Sequence, residues 1–308
     1  MIRPRALRPG DRIALVAPAS PFSREAFDRG VAELRRLGYE PVYQDSVFAR
    51  SRYTAGDASV RAAAFRDAWF DPDIAALIAV RGGYGSVQIL PLLDADEIRR
   101  TPKAFIGYSD TTSILTWLTG RCGVVSFHGP MIDGRFEKGE AGYDADTFSR
   151  VLTCPEAAGP ITHPQVVALR DGDAAGVLLG GTLTQLVASL ATPYAFDPPR
   201  GHVLFIEDVA ERPYRIDRMM TQLALSGVLA RASAIVFGEM RGCDEPADGG
   251  PAIKDVLRDL VAGFRGPVLF GLPSGHTSGA TMTLPFGVRA RVLTKPQPVL
   301  IIEEAAVA

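Results

Sequence analysis

The amino-acid sequence predicts an α/β protein whose strands pair largely in parallel. Three observations carry this. Short, wholly apolar runs recur at strand length, as expected of strands buried on both faces. Stretches with helical spacing alternate with them from residue 12 to residue 120. The alternation then lapses and resumes near residue 180, so two regions are expected.

The first run, RIALVAPA over 12–19, ends in Pro and Ser and reads as a buried strand. Residues 25–38 have helical spacing, with Gly38 placed as a C-cap. A strand at 40–45, a helix at 59–70 and a third strand at 74–80 follow, the last opening into Arg81-Gly-Gly-Tyr-Gly-Ser86. A helix at 87–94, a strand at 103–108 and a helix at 111–120 complete this half. Right-handed crossovers would align the strand-end loops along one edge of the sheet. From about 133 to 174 Gly, Asp, Glu and Pro accumulate, which suits a connecting region. The pattern resumes with 180–194, a strand at 202–209, a helix at 214–227 and a strand at 234–240. A helix at 253–264, a strand at 267–273 and β-like terminal segments close the chain. The expected division is an N-terminal α/β domain over 1–140, a connection over 141–170 and a C-terminal domain over 171–308.

Composition narrows the function. With 308 residues the chain has room for one large or two medium domains. Lys+Arg number 33 against 35 Asp+Glu, for a net charge of −2, so no nucleic-acid partner is expected. Cys122, Cys154 and Cys243 are odd in number and widely spaced, which argues for a reducing compartment, by default the cytoplasm. Charges scattered to Arg12 around a short apolar run (13–17) do not resemble a signal peptide. No run of about 18 apolar residues occurs, so no membrane span is expected. No His/Cys cluster has zinc spacing and HExxH is absent, so neither metal nor cofactor is inferred.

Three strand-end junctions carry candidate chemistry. Lys103-Ala-Phe-Ile-Gly-Tyr108 runs as a strand into Ser109, and a helix leaves from Thr111. Strand, tight turn and helix can lift a serine hydroxyl above a sheet edge, beside helix N-terminal amides. Gly107 fits the crowding of such an elbow, but Asp110 and Thr111 do not complete G-x-S-x-G. Ser109 or Asp110 would serve equally well as a helix N-cap. A nucleophilic serine needs a base, and the chain has four histidines. His163 and His202 read as surface residues. His276 follows an apolar strand between Gly275 and Gly279, and His128 is the alternative base. Glu207 ends an apolar strand, where a carboxylate needs a partner, and Asp208 would face the other way. A surface pairing of these acids with Arg212, Arg215 or Arg218 stays open. The glycine-rich loop after Val80 lacks both phosphate-binding patterns. Its amides suit an oxyanion hole near Ser109 or a plain turn, and Arg81 suits a substrate carboxylate.

GDRIALVAPAS, VRGGYGS, FIGYSDTT, HGPM, GGTLTQL, FIEDVAERPYRIDRMMTQL and GHTSGATMTLPFG, in that order, span nearly the whole chain. Together they resemble the LD-carboxypeptidase family of serine peptidases, which includes the microcin-immunity peptidases. The resemblance implies a Ser-His-Glu triad: Ser109 in GYSD, Glu207 in IEDV and His276 in GHT. It also implies a flavodoxin-like N-terminal domain, a C-terminal domain with a β-barrel-like core, a site between them, and homodimers. The implied activity is release of a C-terminal D-amino acid from a murein-derived peptide, or hydrolysis of a peptide-nucleotide compound. The backbone N–H groups of Asp110 and of Gly82 or Gly83 would then hold the oxyanion. A catalytically silent peptide-binding protein is the reading from another class. Thr182, Ala191 and Ala280 stand where Asn, Gly and Asn are expected. They fall near the inferred cleft and should bear on substrate, leaving the triad untouched.

Overall fold

Five short strands, β1 (Arg12–Val16), β2 (Glu40–Val42), β3 (Ile74–Ala79), β4 (Ala104–Gly107) and β5 (Ser126–His128), pair in parallel in the order β2-β1-β3-β4-β5. The computed structural model describes residues 1–244 and 250–308. This strand order is flavodoxin-like, as the resemblance implied. Every residue of β3 and β4 is buried, which explains why these runs are apolar throughout. The order reverses between β1 and β3, and the loops leaving those strands meet there: Ser20 Oγ accepts from the Tyr84 N–H at 3.0 Å.

Local sequence explains most helix limits. The helix Arg24–Arg36 starts where Ser23 Oγ accepts from the Ala26 N–H at 3.3 Å. Residues 87–94, expected as an α-helix, instead form a 3₁₀ turn, Ser86–Leu92, with Pro91 inside it. Proline has no N–H for an i−4 bond, so the α-helix begins only at Ala95, capped by Asp94.

The stretch expected to be a loose connection is ordered. It forms the 3₁₀ segment Phe136–Ala141, the helix Ala145–Thr153 and the strands β6 (Ala157–Ile161) and β7 (Val167–Arg170). Both are edge strands, the place where Pro160 and Gly159 do least harm to a ladder. They flank an eight-stranded mixed sheet with β8 (Asp173–Thr182), β9 (His202–Glu207), β10 (Ala232–Gly238), β11 (Val268–Leu272), β13 (Arg289–Leu293) and β14 (Val299–Ala305). Its order is β6-β14-β13-β8-β9-β10-β11-β7, and β8 through β11 run parallel. The second region, for which the resemblance implied a barrel-like core, is built on this sheet.

Strand β9 shows how the two regions share a core. Val203 and Phe205 face the core that extends under the first sheet, whereas Leu204 and Ile206 face the helices Leu183–Ser189, Pro213–Leu225 and Ile253–Leu260. Glu207 continues the Val203–Phe205 face by the two-residue period of a strand. One further strand, β12 (Leu284–Phe286), leaves the second region and pairs antiparallel with β5, opposing Leu284 to His128. His202, expected at the surface, is fully buried, with Nδ1 2.8 Å from the Pro199 carbonyl. The residues that bury it come from elsewhere in the chain, which a single sequence cannot show. Among the described residues no helix is long and apolar enough to cross a membrane.

Ala191 occupies an exposed turn with φ at +61°, a left-handed conformation that crowds a β-carbon. Ala191→Gly should therefore stabilise the protein by about 0.5–1 kcal/mol, the strain relieved outweighing the added chain entropy. A urea titration should show a higher midpoint at unchanged slope. An unchanged or lower midpoint would mean that the strain at this turn does not exceed the added chain entropy.

Candidate active site

Ser109 lies two residues past the end of β4 and has φ at +62°, one of few non-glycine residues in the left-handed region. Such a conformation costs of order 1–3 kcal/mol and persists only where its surroundings enforce it. Here they do. The Asp110 carboxylate accepts from the Ser86 N–H at 2.8 Å, and Ser86 Oγ donates to the Asp110 carbonyl at 2.6 Å. Ser86 Oγ also lies 2.6 Å from Ser113 Oγ, so the glycine-rich loop is bound to the turn. Neither Ser109 nor Asp110 caps the helix Thr112–Trp117. Both helical turns lack a side-chain cap, and Ser109 Oγ has no hydrogen bond to a described residue. Gly82 packs so closely on Ser109 that a β-carbon there would sit 2.8 Å from Ser109 Cβ and 3.3 Å from the Asp110 nitrogen. Only glycine lets this loop lie over the serine.

Glu207 and His276 meet at the ends of β9 and of the segment following β11. Glu207 is fully buried, and its Oε2 accepts from His276 Nδ1 at 2.8 Å and from the His276 N–H at 2.9 Å. Its Oε1 accepts from the Thr182 hydroxyl, because Thr182 at the end of β8 is the register partner of Glu207. Burial pushes the Glu207 carboxyl up, but the charge and hydrogen bond of His276 prevail and hold it well below its ordinary value. Burial also opposes a charged His276, and Glu207 again prevails, raising the imidazole above its ordinary value. An ionised carboxylate can only accept, so Nδ1 carries the proton and Nε2 is left as the basic nitrogen.

Tyr108, the residue before Ser109, stands edge-on to the His276 ring at 5.0 Å between centroids. The Thr182 N–H donates to Thr112 Oγ1 at 3.1 Å, which docks the helix after Ser109 on the strand pair bearing the acid. His128, the alternative base, is fully buried against Tyr108, Phe205 and Phe286, and neither ring nitrogen has a partner among the described residues. Burial pushes it down to about 4, and it is shielded from any substrate. Asp208 turns away from Glu207, as alternation implied, and accepts from the Thr184 N–H and hydroxyl. Arg215 pairs with Glu211, not with Glu207. Arg81 is half-exposed, 3.4 Å from Asp133, and Gly83 lies against Ser20. Among the described residues no group of three or more His, Cys, Asp or Glu side chains could hold a metal ion.

Sequence reasoning missed two residues. Thr182 was expected to concern the substrate alone; its hydroxyl instead sits on Glu207 itself, because β8 and β9 end in register. Arg135 is buried and donates to the carbonyls of Gly275, Thr277 and Gly279 on the His276 loop. It lies in the stretch read as a connection, and no motif or period marks it. Ala280, half-buried beside Gly279, contributes no side-chain contact that explains its departure.

Residues 13–129 match the LD-carboxypeptidase N-terminal domain and residues 175–292 the LD-carboxypeptidase C-terminal domain. A murein tetrapeptide carboxypeptidase of Pseudomonas aeruginosa is 31% identical over 274 residues, covering 86% of this chain and 88% of the relative. The structure of a muramoyltetrapeptide carboxypeptidase from Oxalobacter formigenes superposes with a TM-score of 0.83 at 33% identity, over 94% of this chain and 97% of that one. The microcin C7 self-immunity protein MccF of Escherichia coli is 28% identical over 90% of this chain and 88% of its own. A structure of MccF with glutamyl sulfamoyl guanosine superposes over 100% of both chains at 25% identity, with a TM-score of 0.90.

The contact between Thr182 and Glu207 yields a paired prediction. Thr182→Val removes a donor from a buried carboxylate and should cost about 1–3 kcal/mol in urea unfolding. Thr182→Asn restores an N–H donor and should recover most of that loss. Equal stability of wild type and the valine variant would show that this hydrogen bond contributes nothing.

Proposed function

The chain belongs to the LD-carboxypeptidase family, and on that premise we propose that it is a serine-type LD-carboxypeptidase releasing the C-terminal D-amino acid of a murein-derived peptide. The observation that carries this is the buried Glu207–His276 hydrogen bond, together with a serine held at positive φ just past the end of β4. In the proposed reaction Ser109 Oγ attacks the carbonyl carbon of the scissile amide and passes its proton to His276 Nε2. Glu207 holds the imidazole in the required tautomer and stabilises its charged form. The developing oxyanion accepts from the Asp110 N–H and from that of Gly82 or Gly83. The imidazolium then protonates the leaving amine, and water repeats the sequence on the acyl-enzyme. Arg81, only loosely engaged by Asp133, takes the terminal carboxylate of the peptide. We place the enzyme in the cytoplasm as a homodimer, the family arrangement.

A second substrate reading is supported by the likeness to MccF across the whole chain. The same serine would hydrolyse an acyl bond of a peptide-nucleotide or acyl-sulfamoyl compound. Parallel assays with a murein tetrapeptide and an aminoacyl sulfamoyl nucleoside separate the two.

Ser109→Ala should lower the release of D-alanine from the tetrapeptide by about 10³-fold or more, with the fold intact. Wild-type turnover in that variant would sink the mechanism. Persistent failure of Ser109 to react with a fluorophosphonate probe would favour a silent binding protein.

The acid limb of kcat/KM should lie above pH 6.5, the ordinary histidine value, because His276 must be neutral to act and its folded value is raised. The linked stability has a fixed sign. The His276 contribution is complete below about 6.5 and drains as pH climbs through the raised folded value. That of Glu207 is complete above 4.5 and is lost as pH falls through its depressed value. An acid limb below 6.5 would show that another group, or an uncoupled His276, controls the rate.

A further inference from the structure

We propose that Arg135 is a positioning residue whose guanidinium locks the loop bearing His276 onto the Tyr108–Ser109 elbow, setting the alignment of base and nucleophile. The inference rests on the triad read above and extends it. Arg135 is 4% exposed, and its whole fork is engaged. Nη1 donates to the Gly279 carbonyl at 2.9 Å, Nη2 to those of Gly275 at 2.6 Å and Thr277 at 3.3 Å, and Nε to the Tyr108 hydroxyl at 3.3 Å. The guanidinium carbon lies 5.7 Å from the centre of the Tyr108 ring. The accepting carbonyls bracket His276, and Tyr108 precedes the nucleophile, so one side chain spans the two halves of the site.

The arrangement is a poor investment for stability alone. A buried cation loses its hydration, and among the described residues no carboxylate pairs with Arg135. The planar fork matches several carbonyls at fixed angles, which a lysine's point charge cannot do. Its base is rigid: Phe136, the next residue, is fully buried against the rings of Tyr143 at 4.7 Å and Phe148 at 5.5 Å. The opposing loop has little freedom either. Gly275 has φ at +86°, and a β-carbon there would lie 2.6 Å from Glu207 Cδ and 2.8 Å from His128 Nε2. Arg135 also contributes charge: Glu207 and Asp208 favour a protonated His276, and Arg135 opposes it.

The test compares Arg135→Gln, Arg135→Lys and Ser109→Ala with wild type, recording kcat, KM, pH profile and thermal midpoint. Expected are falls in kcat of about 10²-fold for R135Q and about tenfold for R135K, with KM within about twofold, since misalignment acts on the chemical step. The acid limb should move to higher pH in R135Q and stay in place in R135K, which keeps the charge. Added methylguanidinium should restore part of the R135Q rate. If R135Q does not fold, the kcat of R135K decides. Wild-type kcat in both variants, or a raised KM at unchanged kcat, overturns the proposal while leaving the triad standing. Full activity in S109A would instead overturn the triad on which it rests.

Discussion

A carboxylate without solvent sets the terms for this site. Glu207 is fully buried, and an isolated charge in that position would either neutralise or unfold its surroundings. Three donors prevent this: the Thr182 hydroxyl, the His276 N–H and the His276 ring. One comes from the end of β8 and two from His276 in the segment after β11, so the second sheet must hold both of these strand ends beside that of β9 for the charge to survive. The arrangement also leaves no space to spare. A β-carbon on Gly238 would lie 2.7 Å from Glu207 Cβ, and one on Gly275 would meet the carboxylate itself.

Ser109 belongs to the other sheet, and two features tie its turn to the second one. Strand β12 continues from the His276 loop and pairs with β5, so the chain must cross from one sheet to the other just after the histidine. Thr182 and Thr112 then join the end of β8 to the first turn of the helix after Ser109. Strain at the serine is tolerable because Asp110, Ser86 and Ser113 tie both sides of the turn together. Where both sheets present carboxyl ends of parallel strands, loops of short length suffice to gather unlike side chains.

Much of the fold was legible in the sequence because buried parallel strands leave uninterrupted apolar runs, and the crossover helices between them keep a period near 3.6. The runs at β1, β3, β4, β9, β10 and β11 fall close to their observed limits. Reading failed where local pattern conflicts with position in the sheet. Pro160 and Gly159 look like a loop yet lie in an edge strand, and His202 looks exposed yet is fully buried. Ser109, Glu207 and His276 were visible as polar residues at the ends of apolar strands, where burial makes them conspicuous.

By itself, then, the sequence determined the alternating α/β architecture, the family to which the chain belongs and the three junctions where chemistry was to be sought. Local pattern alone left Ser109 open between helix cap and nucleophile, since both use the same residue at the same kind of turn, and only the family resemblance pointed to the nucleophile. The tertiary structure removed the cap reading by giving Ser109 a positive φ and no capping bond. It also drew Thr182 and Arg135 into the site. Neither was visible earlier for one physical reason: their partners lie 25 and 140 residues away, joined by strand register and loop crossing, which leave no periodic trace in the chain.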